Sequence, residues 1–240
     1  MIRPPFNRQG NKFLLLNEIL PLIPEHNLYV ELFVGSGAVF FNKTETNTIL
    51  NDIDIEVTNR LELLKIAPTN ISLYPNLDTI EKTKKFYMQP CQNIVDKIIK
   101  AKIKASCGFN GKPLYNGRIY VNKNAYCITK HLNYFKEKLE NVKITNMDYF
   151  EIMMRNDDIN TFFFIDPPYE NTFDLMYSNV NFNYDLLAFR LKDIMGKFIL
   201  TLNDSENIRE LFEDFFVKEV VVNSWHGKKR NELIITNYEL

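Results

Sequence analysis

The residues with the most evident chemical potential are Asp166, Pro167, Pro168 and Tyr169, which directly follow an apolar run at residues 162–165. The run predicts a strand buried on both faces of a parallel sheet, so Asp166 is expected at the ligand-binding carboxyl end. Each proline lacks a backbone N–H and cannot continue a central strand, which leaves carbonyls free to accept hydrogen bonds. A carboxylate, such carbonyls and an aromatic ring suit a flat molecule with an exocyclic amine, such as a purine or cytosine. A simple strand-terminating turn is the alternative for so short a motif.

A glycine turn forms the second candidate site. Phe33-Val-Gly-Ser-Gly37 follows a predicted strand at residues 27–33 and precedes a predicted helix start at Val39. Such a turn lets a ligand approach backbone N–H groups closely. Asp52 ends the next predicted strand, at residues 48–51, where an acid can accept both ribose hydroxyls of a nucleoside-like cofactor. The alternative role for Asp52 is to cap a helix at residues 53–64, but the preceding turn favours cofactor binding.

These motifs need an α/β framework to bring them together, and hydrophobic periodicity supplies one on both sides of the middle of the chain. Val217 to Val222 and Leu233 to Thr236 are β-rich and predict a terminal hairpin, with a basic tip at residues 225–230. The other predicted elements are helices at residues 13–23, 148–154, 185–195 and 205–215, and strands at residues 142–145 and 198–202.

The middle of the chain, residues 68–141, loses this rhythm and is strongly basic. Between residues 82 and 138 thirteen lysines or arginines stand against two acids, a local charge of +11 in a chain of net charge −1. Such asymmetry predicts contact with a polyanion, and aromatic residues among cations suit phosphate contact plus stacking; the alternative is a solvated basic face. The candidate nucleic-acid contacts are Phe109, Asn110, Lys112, Tyr115 and Arg118, with Lys228, Lys229 and Arg230 on the terminal hairpin.

Composition narrows the class of protein. Of the 240 residues 45% are hydrophobic and 25% charged, as in globular proteins. No stretch approaches the roughly 20 apolar residues of a membrane span, and no secretory signal is recognisable, so an intracellular protein is expected. Three cysteines and three histidines are scattered along the chain. Their spacing matches no metal-ligand pattern, and no metal is expected.

Four motifs occur in one order: Gly10-Asn-Lys12, Phe33-Val-Gly-Ser-Gly37, Asn51-Asp-Ile-Asp54 and Asp166-Pro-Pro-Tyr169. This pattern resembles the DNA adenine methylase (Dam-like, D12 class) family of S-adenosyl-L-methionine-dependent N6-adenine methyltransferases, over nearly the whole chain. The resemblance implies an α/β fold with a Rossmann-like methyltransferase sheet that ends in an antiparallel hairpin. It also implies a discontinuous catalytic domain, residues 1–67 and 142–240, and a mainly helical and hairpin target-recognition insert at residues 68–141.

The resemblance also implies roles for single residues. S-adenosyl-L-methionine, with S-adenosyl-L-homocysteine as product, would be bound by Arg8, Lys12, Phe33, Gly35, Gly37, Asp52, Asp148 and Asp166. Lys12 suits the methionine carboxylate, and Asp148 would receive the cofactor adenine. Familiar members carry an aromatic residue where this chain has Arg8. A flipped-out adenine would donate both N6 protons, to the Asp166 carboxylate and the Pro167 carbonyl, beneath the Tyr169 ring.

The partner implied is double-stranded DNA, with the protein a DNA-associated monomer or weak dimer; the sequence does not specify a restriction endonuclease partner. Three alternatives stay open. Pockets of this chemistry also serve RNA bases, cytosine N4 and protein glutamine. A nicotinamide oxidoreductase would share the glycine turn and Asp52, yet leave Asp166 and the basic insert unexplained. A catalytically silent DNA-binding module is the third, against which the intact Asp166 argues.

Overall fold

The computed structural model describes residues 1–6, 8, 10–70, 75, 77, 79–106, 131–169, 182–223 and 229–240, together with two short strands at residues 114–115 and 118–119. Four predicted nucleic-acid contacts, Phe109, Asn110, Lys112 and Lys228, lie outside the described residues. For Tyr115 and Arg118 only the backbone is described.

A seven-stranded sheet forms the centre of the molecule. Its strands are β1 (Leu28–Glu31), β2 (Asn47–Asn51), β5 (Lys143–Thr145), β6 (Thr161–Ile165), β7 (Lys197–Asn203), β8 (Phe216–Asn223) and β9 (Lys229–Thr236), and β3 (Leu114–Tyr115) and β4 (Arg118–Ile119) form a separate pair. The order in the sheet is β5-β2-β1-β6-β7-β9-β8. Strands β5, β2, β1, β6 and β7 are parallel, whereas β9 is antiparallel to both β7 and β8. This confirms the α/β prediction and the terminal antiparallel hairpin.

Helices cover both faces of the sheet, and none of those described is long and apolar enough to cross a membrane. They are α1 (Leu16–Ile19), α2 (Ile55–Lys65), α3 (Ile80–Met88), α4 (Ile94–Ser106), α5 (Leu132–Leu139), α6 (Tyr149–Asn156), α7 (Tyr184–Leu191) and α8 (Glu206–Leu211).

Several helices are shorter than predicted. The predicted helix at residues 13–23 is divided into 3₁₀ turns, Lys12–Leu15 and Leu20–Leu22, on either side of the single α-helical turn of α1. Pro21 explains the later break, because it lacks the N–H that an α-helix needs. The helix start predicted after the glycine turn is a 3₁₀ turn, Phe40–Asn42. Helices α7 and α8 also end four residues before their predicted ends.

Strand β6 lies between two apolar layers, as its unbroken apolar sequence predicted. Phe162 and Phe164 belong to the cluster on one face of the sheet, and Phe163 and Ile165 to the cluster on the other. All four side chains are at most 1% exposed. Because both faces are covered, β6 holds its carboxyl end, and therefore Asp166, in a rigid position.

The strand order creates a topological switch point between β1 and β6. From β1 the chain moves outward to β2 and β5, and it then returns to the other side of β1 to form β6 and β7. Open α/β sheets bind ligands at the carboxyl ends of strands at such a point. The glycine turn, Asp52 and Asp166 follow the carboxyl ends of β1, β2 and β6, so the fold brings the predicted motifs to one edge.

The helices of the basic middle segment pack in two ways. Side chains from α3 and α4 share a small apolar cluster around Val95, Ile99 and Ile103. Ile98 of α4, and Phe135 and Leu139 of α5, belong to the main cluster beside the sheet. Helices α4 and α5 therefore share their core with the sheet. The division of the chain at residues 68 and 141 stays a prediction.

Candidate active site

Asp166, Lys12 and Thr201 are in contact and form a polar corner at the carboxyl end of β6. Asp166 Oδ1 is 2.5 Å from Lys12 Nζ and accepts a hydrogen bond from Thr201 Oγ1 at 3.0 Å. Burial raises the pKa of this carboxyl, while the Lys12 ammonium and the Thr201 hydroxyl lower it. The side chain is still 19% exposed. Burial outweighs these two partners, so the pKa of Asp166 lies above its ordinary value, while Lys12 and Thr201 stabilise the carboxylate form.

Lys12 connects the N-terminal loop to this corner. Its side chain is 3% exposed, its ammonium donates to the Gly10 carbonyl at 2.8 Å, and it lies 4.6 Å from the centre of the Tyr169 ring. An ammonium has three donors, so Lys12 is able to bind Asp166, a backbone carbonyl and a further acceptor. The structure therefore joins Lys12 to Asp166 and Tyr169, three residues that the sequence had only placed in order.

The two proline carbonyls differ in their surroundings. The Pro168 carbonyl accepts a hydrogen bond from Tyr184 Oη, so it is not free as the sequence had suggested. Tyr169 Oη donates to Glu232 Oε2 at 2.6 Å. Burial raises the pKa of Tyr169, and the charges of Asp166 and Glu232 raise it further. Hydrogen bonds thus hold the tetrapeptide at the Pro168 carbonyl and at the Tyr169 hydroxyl, and no described residue donates to the Pro167 carbonyl.

Asp52 and the glycine turn form one unit. The Gly35 N–H donates to Asp52 Oδ2 and the Asp54 N–H to Asp52 Oδ1, both at 2.9 Å. Helix α2 is capped by Asp54, whose Oδ1 accepts from the Glu56 N–H. The helix-cap alternative for Asp52 is therefore wrong. Burial raises the pKa of Asp52, while the charge of Arg8 and these amides lower it.

The glycines of the turn adopt conformations that favour glycine. Gly35 and Gly37 have φ angles of +49° and +68°. A Cβ on Gly37 would lie 3.0 Å from the Phe41 ring, and one on Gly35 would lie 3.5 Å from Arg8 Cδ. The turn is consequently a tight backbone cradle that fits a nucleoside-like group. The Arg8 guanidinium above it is bound to Asp54 Oδ2 at 2.9 Å.

Phe33 and Asp148 lie on one side of the glycine turn. The Phe33 ring is 5.2 Å from Tyr149 and 5.7 Å from Phe182, measured between ring centres. Asp148 caps α6, with Oδ1 accepting from the Phe150 N–H at 2.9 Å. Aromatic rings and a carboxylate therefore meet at this side of the site.

Asn51 ties the strand ends together. Its amide nitrogen donates to the carbonyls of Leu32 and Met147, while its Oδ1 accepts from the Met147 N–H and the Thr145 hydroxyl. The side chain is 1% exposed, so these hydrogen bonds form in a buried place and are strong. They hold the carboxyl ends of β1, β2 and β5 in one arrangement.

Two buried acids at the site were missed by the sequence analysis. Glu31, at the end of β1, is 2% exposed and accepts from Tyr29 Oη at 2.9 Å. Burial raises the pKa of Glu31 to about 8, and the charge of Asp166 contributes. Glu232, in β9, is 0% exposed. The signal that could have identified them is an acid within or directly before an apolar run: Glu31 lies between Val30 and Leu32, and Glu232 directly precedes Leu233, Ile234 and Ile235.

Many of the basic side chains in the middle segment bind this chain itself. Lys102 donates to the Pro5 carbonyl, Lys136 to the Ala67 carbonyl and Lys138 to the Lys43 carbonyl. These lysines are partly structural, which a count of charges could not show. The backbones of Tyr115 and Arg118 pair directly in the antiparallel ladder of β3 and β4.

The terminal hairpin places Lys229 and Arg230 at the start of β9. Arg230 is half-exposed, and its guanidinium lies 2.5 Å from Glu232 Oε1. Among the described residues, no group of three histidine, cysteine, aspartate or glutamate side chains is arranged to hold a metal ion.

The sequence matches one family model and several known DNA methyltransferases. Residues 9–225 match the model of the D12 class N6 adenine-specific DNA methyltransferases. The type II methyltransferase M.MjaIII of Methanocaldococcus jannaschii is 29% identical, over 99% of this chain and 99% of its own length. M1.LlaDCHI of Lactococcus lactis is 26% identical, over 99% and 96%. The DNA adenine methylase of Escherichia coli K12 is 27% identical, over 67% of this chain and 62% of its own.

Among solved structures, a putative methyltransferase, yhhF from Escherichia coli, aligns with 100% of this chain and 91% of its own at 11% identity and a TM-score of 0.46.

Proposed function

Because the chain belongs to the D12 class of N6 adenine-specific DNA methyltransferases, we propose that the Asp166 corner binds the target adenine and that the glycine turn with Asp52 binds S-adenosyl-L-methionine. The observation that carries this assignment is the pair of acids at the switch point. Asp52 and Asp166 follow β2 and β6, the two strands on either side of β1. A nucleoside-binding acid and an amine-binding acid therefore lie at one edge of the sheet.

The residues around the glycine turn fit the cofactor. When bound, S-adenosyl-L-methionine supplies a methyl group activated by a sulfonium. Asp52 would accept the ribose hydroxyls, because its carboxylate has more acceptor positions than the two amides occupy. Lys12 would pair with the methionine carboxylate, and Phe33 would line the cofactor loop formed by Gly35 and Gly37.

Arg8 would hold this loop at the rim of the site, because it lies beside Gly35, where an added Cβ would be 3.5 Å from Arg8 Cδ, and its guanidinium binds Asp54 Oδ2 at 2.9 Å. Asp148 would receive the cofactor adenine through the carboxylate oxygen that does not cap α6. The aromatic cluster at Phe33 and Tyr149 offers that adenine an apolar surface.

Asp166 and the Pro167 carbonyl would act on the target amine. The N6 lone pair of adenine is delocalised into the ring, so the nitrogen is a poor nucleophile. Two acceptors on its protons would favour a tetrahedral nitrogen and stabilise the positive charge that develops on it. Asp166 must be ionised to do this. Burial raises the pKa of Asp166 on balance, and Lys12 and Thr201 oppose that rise by stabilising the carboxylate.

Tyr169 would stack on the adenine. An N6 amine inside a duplex is inaccessible, so the base must leave the helix at a cost of a few kcal/mol. Contacts to duplex DNA would come from the basic segment, through Phe109, Asn110, Lys112, Tyr115 and Arg118, and from Lys228, Lys229 and Arg230 on the terminal hairpin. Each phosphate neutralised adds about 0.9 to the slope of log affinity against log salt. We propose further that the protein acts on DNA inside the cell as a monomer or weak dimer.

Analysis of the methylated nucleosides tests the proposal. Unmethylated genomic DNA is incubated with the protein and isotope-labelled S-adenosyl-L-methionine, digested to nucleosides and examined by mass spectrometry. We expect N6-methyladenine from the wild type and none from Asp166→Ala, with circular dichroism unchanged. N4-methylcytosine as the product, or a preference for RNA in a parallel reaction, would contradict the assignment of the target. Sequencing the same DNA gives the recognition site.

A further inference from the structure

Glu232 has no role in the proposed chemistry, yet it is the most deeply buried acid beside the site. It lies in β9 opposite Asn203 of β7, and its side chain is 0% exposed. Placing a carboxylate in an apolar strand is unfavourable unless it is paired and hydrogen-bonded. Its neighbours Leu233, Ile234 and Ile235 are all apolar and buried. The acid therefore needs an explanation other than core packing.

The two carboxylate oxygens have different partners. Oε2 accepts the Tyr169 hydroxyl at 2.6 Å, a short hydrogen bond of the charge-assisted kind. Oε1 lies 2.5 Å from the half-exposed Arg230 guanidinium but makes no aligned hydrogen bond within the described residues. Replacing a buried ion pair with apolar residues is often neutral or stabilising, so stability does not explain Glu232.

We propose that Glu232 is a positioning residue for methyl transfer, which holds the Tyr169 ring where the target base stacks. The inference rests on the proposed function, specifically on Tyr169 as the stacking residue. Pro167 and Pro168 restrict the backbone that precedes Tyr169. The backbone does not determine the rotation of the ring about the side-chain bonds. The hydrogen bond to Glu232, beside a second one to Thr201, constrains the ring from the opposite end of the side chain.

The same ring is positioned against the reacting groups. Its face meets the Lys12 ammonium at 4.6 Å, and Lys12 in turn lies 2.5 Å from Asp166. A Tyr169 ring released at its hydroxyl would change its distance from both residues. Misplacement of about 1 Å is enough to reduce turnover about 100-fold. Arg230, at the other oxygen, compensates the buried charge.

Glu232→Met, Glu232→Gln and Tyr169→Phe test this role, with Glu219→Met as the control. Methionine fills the same space without an acceptor, whereas glutamine keeps an acceptor for the Tyr169 hydroxyl. Tyr169→Phe keeps the ring and removes the hydroxyl. Glu219 lies on the neighbouring strand β8, is 59% exposed and pairs with Arg209 at the surface. Initial rates of N6-methyladenine formation give kcat and the KM for S-adenosyl-L-methionine.

We expect kcat to fall about 10- to 100-fold in Glu232→Met and Tyr169→Phe, with KM for the cofactor changed less than about 3-fold. Glu232→Gln should recover most of the wild-type kcat, and Glu219→Met should match the wild type. The double variant Tyr169→Phe/Glu232→Met should be no slower than Tyr169→Phe, because Glu232 acts only through the hydroxyl that Tyr169→Phe already lacks.

Additive losses in the double variant, or an unchanged kcat in Glu232→Met, would overturn the inference. If Glu232→Met fails to fold, Tyr169→Phe decides, since a folded Tyr169→Phe variant with the wild-type kcat would show that the hydrogen bond to Glu232 does not position the ring. The proposed function fails separately, if the wild type forms no N6-methyladenine.

Discussion

The two halves of the ligand-binding edge are held together by different kinds of contact. In the cofactor half, Asp52 is held by the backbone N–H groups of Gly35 and Asp54. In the target half, Asp166 and Tyr169 are held by side chains, among them Lys12 from the N-terminus and Glu232 from the last strand. The first half depends on backbone conformation within residues 33–54. The second depends on elements that are distant in the sequence.

This difference predicts different sensitivities. Backbone amides carry no proton that titrates in the physiological range, so the cofactor half should respond mainly to changes in backbone geometry. The target half is built from ionisable side chains in a buried place, where each charge alters the pKa of the next. Substitutions and pH should therefore affect the target half more strongly.

Glu31 gives the largest expected effect, on stability. A pKa of about 8 in the folded state, against 4.5 for the ordinary group, means that the folded protein holds a proton that the unfolded chain has lost. The stabilising contribution is complete below about pH 4.5 and is lost as pH rises through 8. Glu31→Gln stays neutral and still accepts from Tyr29. The free energy of unfolding of Glu31→Gln should therefore exceed that of the wild type by a few kcal/mol above pH 8, at about 1.4 kcal/mol per pKa unit. Near pH 4.5 the two proteins should be equally stable.

Urea unfolding of both proteins between pH 5 and pH 9 measures this difference. The nearby Lys43 has its pKa lowered to about 8, chiefly by burial. Its contribution to the stability of the protein therefore increases as pH rises above 8, opposite to that of Glu31. Lys43→Met separates the two contributions. Parallel stability curves for the wild type and Glu31→Gln would show that Glu31 is ionised throughout.

Lys12→Met should have the next largest effect, a loss of about 100-fold in kcat/KM, because it removes the charge that keeps Asp166 ionised. Since Lys12 lowers the pKa of Asp166, its removal raises that pKa. Activity needs the carboxylate, so the acid side of the pH–rate profile should move to higher pH. Lys192→Met, which removes an exposed lysine bound to Asp214, is the control. A lower rate with an unmoved profile would limit Lys12 to cofactor binding.

Asp52→Asn tests the cofactor half. We expect the KM for S-adenosyl-L-methionine to rise about 10-fold and kcat to change less than about 3-fold, because loss of a charged hydrogen bond is worth about 1.5–3 kcal/mol. Steady-state rates and calorimetric binding of the cofactor measure both quantities. Asp54→Asn, which changes the helix cap, should leave KM closer to the wild type. A selective fall in kcat would mean that Asp52 serves the target half.

The difference between Gly37→Ala and Gly10→Ala is the smallest expected effect, about 1 kcal/mol in the free energy of unfolding. Both Gly10 and Gly37 have positive φ angles, of +77° and +68°. Each alanine variant should lose about 1–2 kcal/mol from left-handed backbone strain. At Gly37 the new Cβ also meets the Phe41 ring at 3.0 Å, while at Gly10 it meets nothing within 4 Å. In urea unfolding, Gly37→Ala should therefore lose about 1 kcal/mol more stability than Gly10→Ala. Equal losses would mean that the Phe41 ring moves aside freely.

Sequence information predicted the framework because its signals are local. The apolar run of β6, the glycine turn and the terminal hairpin follow from residue types within a few positions of one another. The order of the four motifs indicated the family. Helix lengths were less predictable, since Pro21 and the tight turn at Gly37 shorten two helices that periodicity alone extends.

By itself, therefore, the sequence determined which strands are buried, where they end and which family the motifs match. Only the tertiary structure decided that Lys12 meets Asp166, that Tyr169 is bound by Glu232, and that Asp52 accepts from the Gly35 N–H instead of capping α2. The physical reason is distance along the chain. Hydrophobic periodicity and turn propensity act between neighbours, whereas an ion pair or a buried hydrogen bond between remote side chains exists only after the strands have been ordered in the sheet.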